Sequence, residues 1–145
     1  MALAVCGLAA CQSKRTAAQL TPEQYKAKVN RICADAANLV STIAAPGAKA
    51  TSEDAGLYAQ QLRQVLGPHV RQIEAIPVPP TLRPDMLAIN DLFNALLRNL
   101  TVQVEAGPQN DVNKILDASD RIRSLQTSLN QRANAIGLES CATAT

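Results

Sequence analysis

Proline and glycine punctuate this chain at Pro22, Pro46-Gly47, Gly67-Pro68, the run from Pro77 to Pro84, Gly107-Pro108 and Gly137. Between these breaks apolar residues recur at steps of three and four, the period of a helix with one buried face. In the first stretch the stripe is Tyr25, Val29, Ile32, Cys33, Ala36, Val40 and Ile43. Thr21-Pro22-Glu23-Gln24 ahead of it supplies an N-cap, a first-turn proline and a capping-box Gln, so a helix is expected from about Pro22 to Ala45. The second stripe opens at Ser52-Glu53-Asp54 and carries Tyr58, Leu62, Val65, Leu66, Val70, Ile73 and Ile76. Gly67-Pro68 interrupts it, and a kink is expected there instead of a break. A break would leave a helix of about 14 residues, near 21 Å, beside neighbours of about 35 Å.

The third stripe, Met86, Ile89, Phe93, Leu96, Leu97, Leu100 and Val104, is the clearest, with Asp91, Arg98 and Glu105 on the opposite side and Gly107 at its end. The fourth begins after Pro108 with Val112, Ile115, Leu116, Ile122, Leu129, Ala133 and Ile136, while Asp117, Asp120, Ser124 and Gln131 face outward. Gly137-Leu138 fits a left-handed C-cap with its hydrophobic contact. Four helices of similar length on short connections predict an all-α, antiparallel up-down-up-down four-helix bundle. Its core must be aliphatic: 47% of the 145 residues are hydrophobic, yet Tyr25, Tyr58 and Phe93 are the only aromatics. The 14 Lys and Arg nearly balance 12 Asp and Glu. With neither a basic stripe nor stacking rings in the sequence, nucleic acid is not expected as a partner.

The first ten residues, Met1 to Ala10, are uncharged and apolar, and the first charge is Lys14. About nine apolar residues fall well short of the roughly 20 that a membrane-spanning helix needs, but suit the apolar region of an export signal. Leu8-Ala9-Ala10-Cys11 resembles the bacterial lipobox, with Leu three positions before the cysteine and small residues just ahead of it. The resemblance implies that the Cys11 thiolate takes a diacylglycerol group and becomes the first residue of the mature chain. A signal normally starts with Lys or Arg, so the true start is expected upstream of Met1. The reading divides the chain into a signal peptide at 1–10, a lipidated tether at 11–20 and the bundle at 21–141, held at the extracytoplasmic face of a cell membrane. Lys14 and Arg15 would add about 1 kcal/mol each at an anionic leaflet. The competing reading is a cytosolic bundle with a frayed apolar end, which the immediate passage into Gln12-Ser13-Lys14-Arg15 disfavours.

With Cys6 leaving in the signal and Cys11 lipidated, Cys33 and Cys141 remain. The bundle topology brings the start of helix one beside the end of helix four, and export places both thiols in an oxidising compartment, so a Cys33–Cys141 disulfide is expected. Its alternative is a buried free Cys33 and an unattached Cys141. A cysteine in the first helix, a Pro-Pro connector between the second and third, and the terminal Gly137-Leu138-Glu139-Ser140-Cys141 together resemble small exported helical proteins and lipoproteins of actinobacteria. The resemblance spans roughly Tyr25 to Cys141. It implies the fold, the disulfide and export, and brings no catalytic residues with it.

Chemistry is sparse in this sequence. His69 is the sole histidine and lies on the apolar face of the second stripe, with Met86 just across the proline connector. A His and a Met between bundle helices can ligate haem iron, which makes this pair the candidate ligand-binding residues. The bland reading is a hydrogen-bonded core histidine and a gap-filling methionine, and no Cys-x-x-Cys-His attachment motif is present. No second ligand lies three or four residues from His69, so no metal site is expected. Glu53-Asp54 falls in a helix's first turn and Asp117 and Asp120 face water, so both acidic pairs have structural explanations. Without a base beside a nucleophile or a phosphate loop, neither catalytic residues nor a cofactor are expected. Ile76-Pro77-Val78-Pro79-Pro80-Thr81-Leu82-Arg83-Pro84 reads as a stiff connector before it reads as a polyproline ligand. The expected function is a non-catalytic binding or structural module at the membrane, with an unknown protein as its partner. The alternative is a carrier of a small apolar ligand or haem between the helices.

Overall fold

The computed structural model describes residues 20–143. They form α1 (Pro22–Val40), α2 (Ser52–Glu74), α3 (Arg83–Ala106), α4 (Val112–Ala135) and a short α5 (Glu139–Thr143), with one 3₁₀ turn, Pro80–Leu82, leading into α3. No strand occurs among the described residues. The first two helices open on reciprocal caps. Thr21 Oγ1 accepts the Gln24 amide while Gln24 Oε1 accepts the Thr21 amide, and Thr51 makes the same exchange with Asp54. These hydrogen bonds to the Asp54 carboxylate hold its pKa below the usual range.

Helix α1 stops at Val40, short of the expected Ala45. Ser41 and Thr42 turn their hydroxyls back onto the carbonyls of Asn38 and Leu39, both at 2.7 Å, and so satisfy carbonyls that another helical turn would have used. Pro46 then disfavours helical geometry at Ala45. Helix α2, by contrast, runs unbroken through Gly67 and Pro68. Pro68 has no N–H to give the Gln64 carbonyl, and the turns on either side carry the helix across that missing bond. The proline connector packs inward: Pro79 and Leu82 are buried, so those side chains are core residues and not a free polyproline ligand.

Named contacts fix how the helices pass one another. Ile73 at the end of α2 and Ile76 just past it share a core cluster with Met86 and Ile89 at the start of α3, while Gly56 near the start of α2 meets Gly107 just past the end of α3. Gln103, late in α3, donates to Ser119 Oγ, early in α4, at 2.7 Å. Helices α2 and α3, and likewise α3 and α4, therefore run in opposite directions. The fourth edge departs from a plain bundle, because α1 packs mainly on α2 and α5, and α5 in turn packs on α4. The main core lies at this end and joins Tyr25, Val29, Ile73, Met86, Leu129 and Leu138. A second cluster, centred on Ala59, Leu96 and Leu100, draws on α2, α3 and Ile122 of α4, with no residue from α1.

Two positions expected in the core are exposed: Val112 at 51% and Leu116 at 57%. Ile115 and Ala118 carry the buried stripe of α4 here, and Leu116 follows Ile115 by one residue, about 100° around the helix and off that stripe. Val112 lies in the opening turn of α4.

The Gly56–Gly107 contact accounts for two glycines that no turn requires. Gly107 has φ −53°, which any residue adopts. A Cβ there would come within 3.0 Å of both the Gly56 Cα and the Ser52 carbonyl oxygen. Both obstacles are backbone, so Gly107→Ala must push α2 and α3 apart. We expect a loss of about 1–3 kcal/mol in urea-induced unfolding, whereas Gly47→Ala, which meets nothing within 4 Å, should leave stability within about 0.5 kcal/mol.

Candidate functional site

The features singled out in the sequence gather at the α1–α5 end. Gly137, at φ 78°, ends α4 in the left-handed region. The Leu138 amide donates to the Ala133 carbonyl at 2.8 Å and the Gly137 amide to the Asn134 carbonyl at 3.1 Å, the paired bonds of a Schellman cap. The cap turns Leu138 into the core, where it is fully buried, and directs the chain into α5. Cys141, on α5, is disulfide-bonded to Cys33 on α1, with their Cα atoms 4.9 Å apart. The expected pairing is therefore present. What the sequence reading lacked is α5 itself, the element that carries Cys141 to α1.

Asn30 secures the same junction. Its amide nitrogen donates to the Gly137 carbonyl at 3.0 Å, and its amide oxygen accepts the Ser140 amide at 3.1 Å. One side chain thus holds the carbonyl at the end of the cap and an N–H at the start of α5, two groups that no helix satisfies internally. The signal for it was present in the sequence: Asn30 precedes Cys33 by one helical turn, on the side already assigned to the end of the fourth helix.

The core cluster that contains both cysteines also holds Tyr25, fully buried, with a hydroxyl that has no hydrogen-bond partner among the described residues. Desolvation raises its pKa, because burial penalises the phenolate.

The two candidate ligand-binding residues are placed differently. His69 is half-buried and lines an apolar cavity of about 30 Å³ with Cys33, Leu66, Ile73, Phe93 and Leu96. Its Nδ1 donates to the Val65 carbonyl at 2.7 Å, one turn back on α2. Met86 is 1% exposed and belongs to the main core, not to the lining of this cavity. The cavity has room for about one water, an order of magnitude below the roughly 300 Å³ at which ligand pockets begin. The residues present do not form a haem site: the space beside His69 does not admit a porphyrin, and Met86 does not share it. Among the described residues no three His, Cys, Asp or Glu side chains are grouped to hold a metal ion, and no helix is long and apolar enough to cross a membrane.

Cys11 and the lipobox-like stretch lie outside the described residues, as does all of the tether except Leu20, which packs against the main core. Compared with family models, curated proteins and solved structures, the chain matches none.

Three measurements test this end of the molecule. Cys141→Ser opens a link between residues 108 apart in sequence. It should cost about 3–5 kcal/mol of unfolding free energy in denaturant titrations, with far-UV circular dichroism still reporting a helical protein at low temperature. Tyr25→Phe removes a buried polar group without a partner and should raise stability by about 1 kcal/mol. The pH dependence has a definite sign. The folded pKa of Tyr25 lies above the unfolded value near 10, so the unfolded chain ionises first. Wild-type stability should then fall as pH rises past about 10, and the part due to Tyr25 should vanish in the Phe variant.

Proposed function

We propose that this chain is a bacterial lipoprotein, anchored through Cys11 at the extracytoplasmic face of the cell membrane, whose helical domain is a non-catalytic binding or structural module. The observation that carries this reading is the pairing of a lipobox-like Leu8-Ala9-Ala10-Cys11 with a disulfide between Cys33 and Cys141. The first resembles the sequence that directs lipidation on export, and the second is a bond that oxidising compartments outside the cytosol favour. Two acyl chains on Cys11, at about 0.8 kcal/mol per buried methylene, would hold the domain far more firmly than a single chain. The residues from Gln12 to Leu20 give the anchor a short polar lead into α1.

The non-catalytic part rests on His69, the one imidazole available as a base. It is tied to a backbone carbonyl and lines a space too small for a substrate. The carrier alternative would need that space to enlarge many times over, and no observation favours it.

The test is to express the chain in a bacterial host with a basic leader ahead of Met1, alongside Cys11→Ser. Wild-type protein should fractionate with membranes and carry the mass of a diacylglyceryl group on Cys11. The serine variant should leave the membrane fraction with its Cys33–Cys141 bond intact. Wild-type protein that carries no acyl mass and stays in the soluble fraction would overturn the reading.

A further inference from the structure

Between α2 and α3 the surface opens into a groove of about 460 Å³ that receives Arg63 and Arg71 from α2 and Arg98 from α3. All three are exposed. The ion pairs of Lys114 with Asp111 and Arg123 with Asp120 lie elsewhere, and among the described residues none of the three guanidiniums has a carboxylate partner. The nearest acid along α2, Glu74, accepts from Asn94 at 2.8 Å. Asp91 and Glu105, each two turns from Arg98 on α3, form no ion pair with the arginines.

The backbone of the groove explains why these charges collect there. Gly67 on its floor has no side chain, and a Cβ added to it would touch Arg71 Nη1 at 3.5 Å, so Arg71 lies folded over the glycine. Arg63 donates to Thr101 Oγ1 across the seam at 3.0 Å, which holds its guanidinium toward α3. Thr101 in turn donates to the Leu97 carbonyl. Like charges held on one groove repel unless an anion sits among them. In a chain whose formal charge is only +2, this is a local concentration and not a general basicity.

We propose that the α2–α3 groove binds a phosphoryl group attached to an organic body, a phosphomonoester or phosphodiester. Planar guanidinium forks match phosphate oxygens in pairs. Asn94, whose amide gives one hydrogen to Glu74, keeps the other for a phosphate oxygen, while Leu97 and Pro68 supply apolar wall for the rest of the ligand. The proposal goes beyond membrane anchoring and does not depend on it, since every residue it uses lies in α2 and α3. Such a group reaches the groove either as a lipid headgroup or on a soluble metabolite.

The test uses the full chain carrying Cys11→Ser, so that no acyl anchor contributes. One arm measures co-sedimentation with vesicles of phosphatidylglycerol and phosphatidylcholine at 3:7, against vesicles of phosphatidylcholine alone. The other titrates glycerol 3-phosphate, with glycerol as control, and follows the amide and arginine Nε resonances. The triple variant Arg63→Gln/Arg71→Gln/Arg98→Gln is compared with Arg31→Gln/Arg83→Gln/Arg132→Gln, which removes the same charge from exposed positions outside the groove. Binding in either arm should weaken at least tenfold in the groove variant and by less than threefold in the control. A response to vesicles alone identifies the lipid headgroup as the source, and a response to glycerol 3-phosphate identifies a soluble ligand. No binding in either arm, or equal losses in the two triple variants, overturns the proposal. Membrane fractionation of Cys11→Ser reports on the anchor separately, so the two readings fail independently.

Discussion

One residue in the left-handed region organises the α1 end of this protein. Gly137 at φ 78° stops α4 and sends the chain across to α1. A side chain with a Cβ is strained in that conformation. Four features depend on the reversal: Leu138 reaches the core, α5 forms, Asn30 finds a carbonyl and an amide to hold, and Cys141 comes to Cys33. The cap's own hydrogen bonds make the turn locally sufficient, and the Asn30 clamp and the disulfide then fix where it leads.

The consequence is a bundle with unequal ends. At the α5 end, five helices and the proline connector surround one continuous core. At the other end no residue of α1 enters the smaller cluster, which rests on three helices, drawn close where Gly56 and Gly107 let α2 and α3 meet backbone to backbone. The stabilising weight differs accordingly. A loop closed over more than a hundred residues contributes about 4.7 kcal/mol in the chain-entropy model, a large share of the 5–15 typical of a domain. That contribution is attached at the end that also holds Tyr25, Met86 and Leu138.

Local signals in the chain were legible and long-range register was not. The stripes on all four helices, the Thr21 cap, the left-handed Gly137 and the cysteine pairing could be read because each depends on residues close in sequence or on a count of thiols. Helix α5 is five residues long, too short for a period to register, and it exists because Asn30 and the disulfide receive it. Val112 and Leu116 were misassigned because an apolar residue near a stripe cannot be told from one on it until the neighbouring helices are placed. The exchange of contacts between Gly56 and Gly107 is invisible for the same reason. Arg98 could be placed on the polar side of its helix, but nothing in a sequence sets it beside Arg63 and Arg71 of another. His69 was rightly turned inward, but its distance from Met86's packing site is a matter of register between α2 and α3.

The bond between Cys33 and Cys141 makes residues 33–141 a covalent ring with α1 entering it from one side. A pull on the N-terminus travels down α1 only as far as Cys33. There it divides, one branch continuing through α1 toward α2 and the other crossing the sulfurs into α5 and the end of α4. The part of α1 ahead of Cys33, Pro22 to Ile32, can peel away without load reaching the closed part, and the seam between α2 and α3 lies within that part. A protease that cuts the turn between α1 and α2 likewise releases no fragment, because both new ends remain on the ring. The domain is thus built to stay in one piece when it is tugged or nicked, with its extensible section confined to the stretch ahead of Cys33.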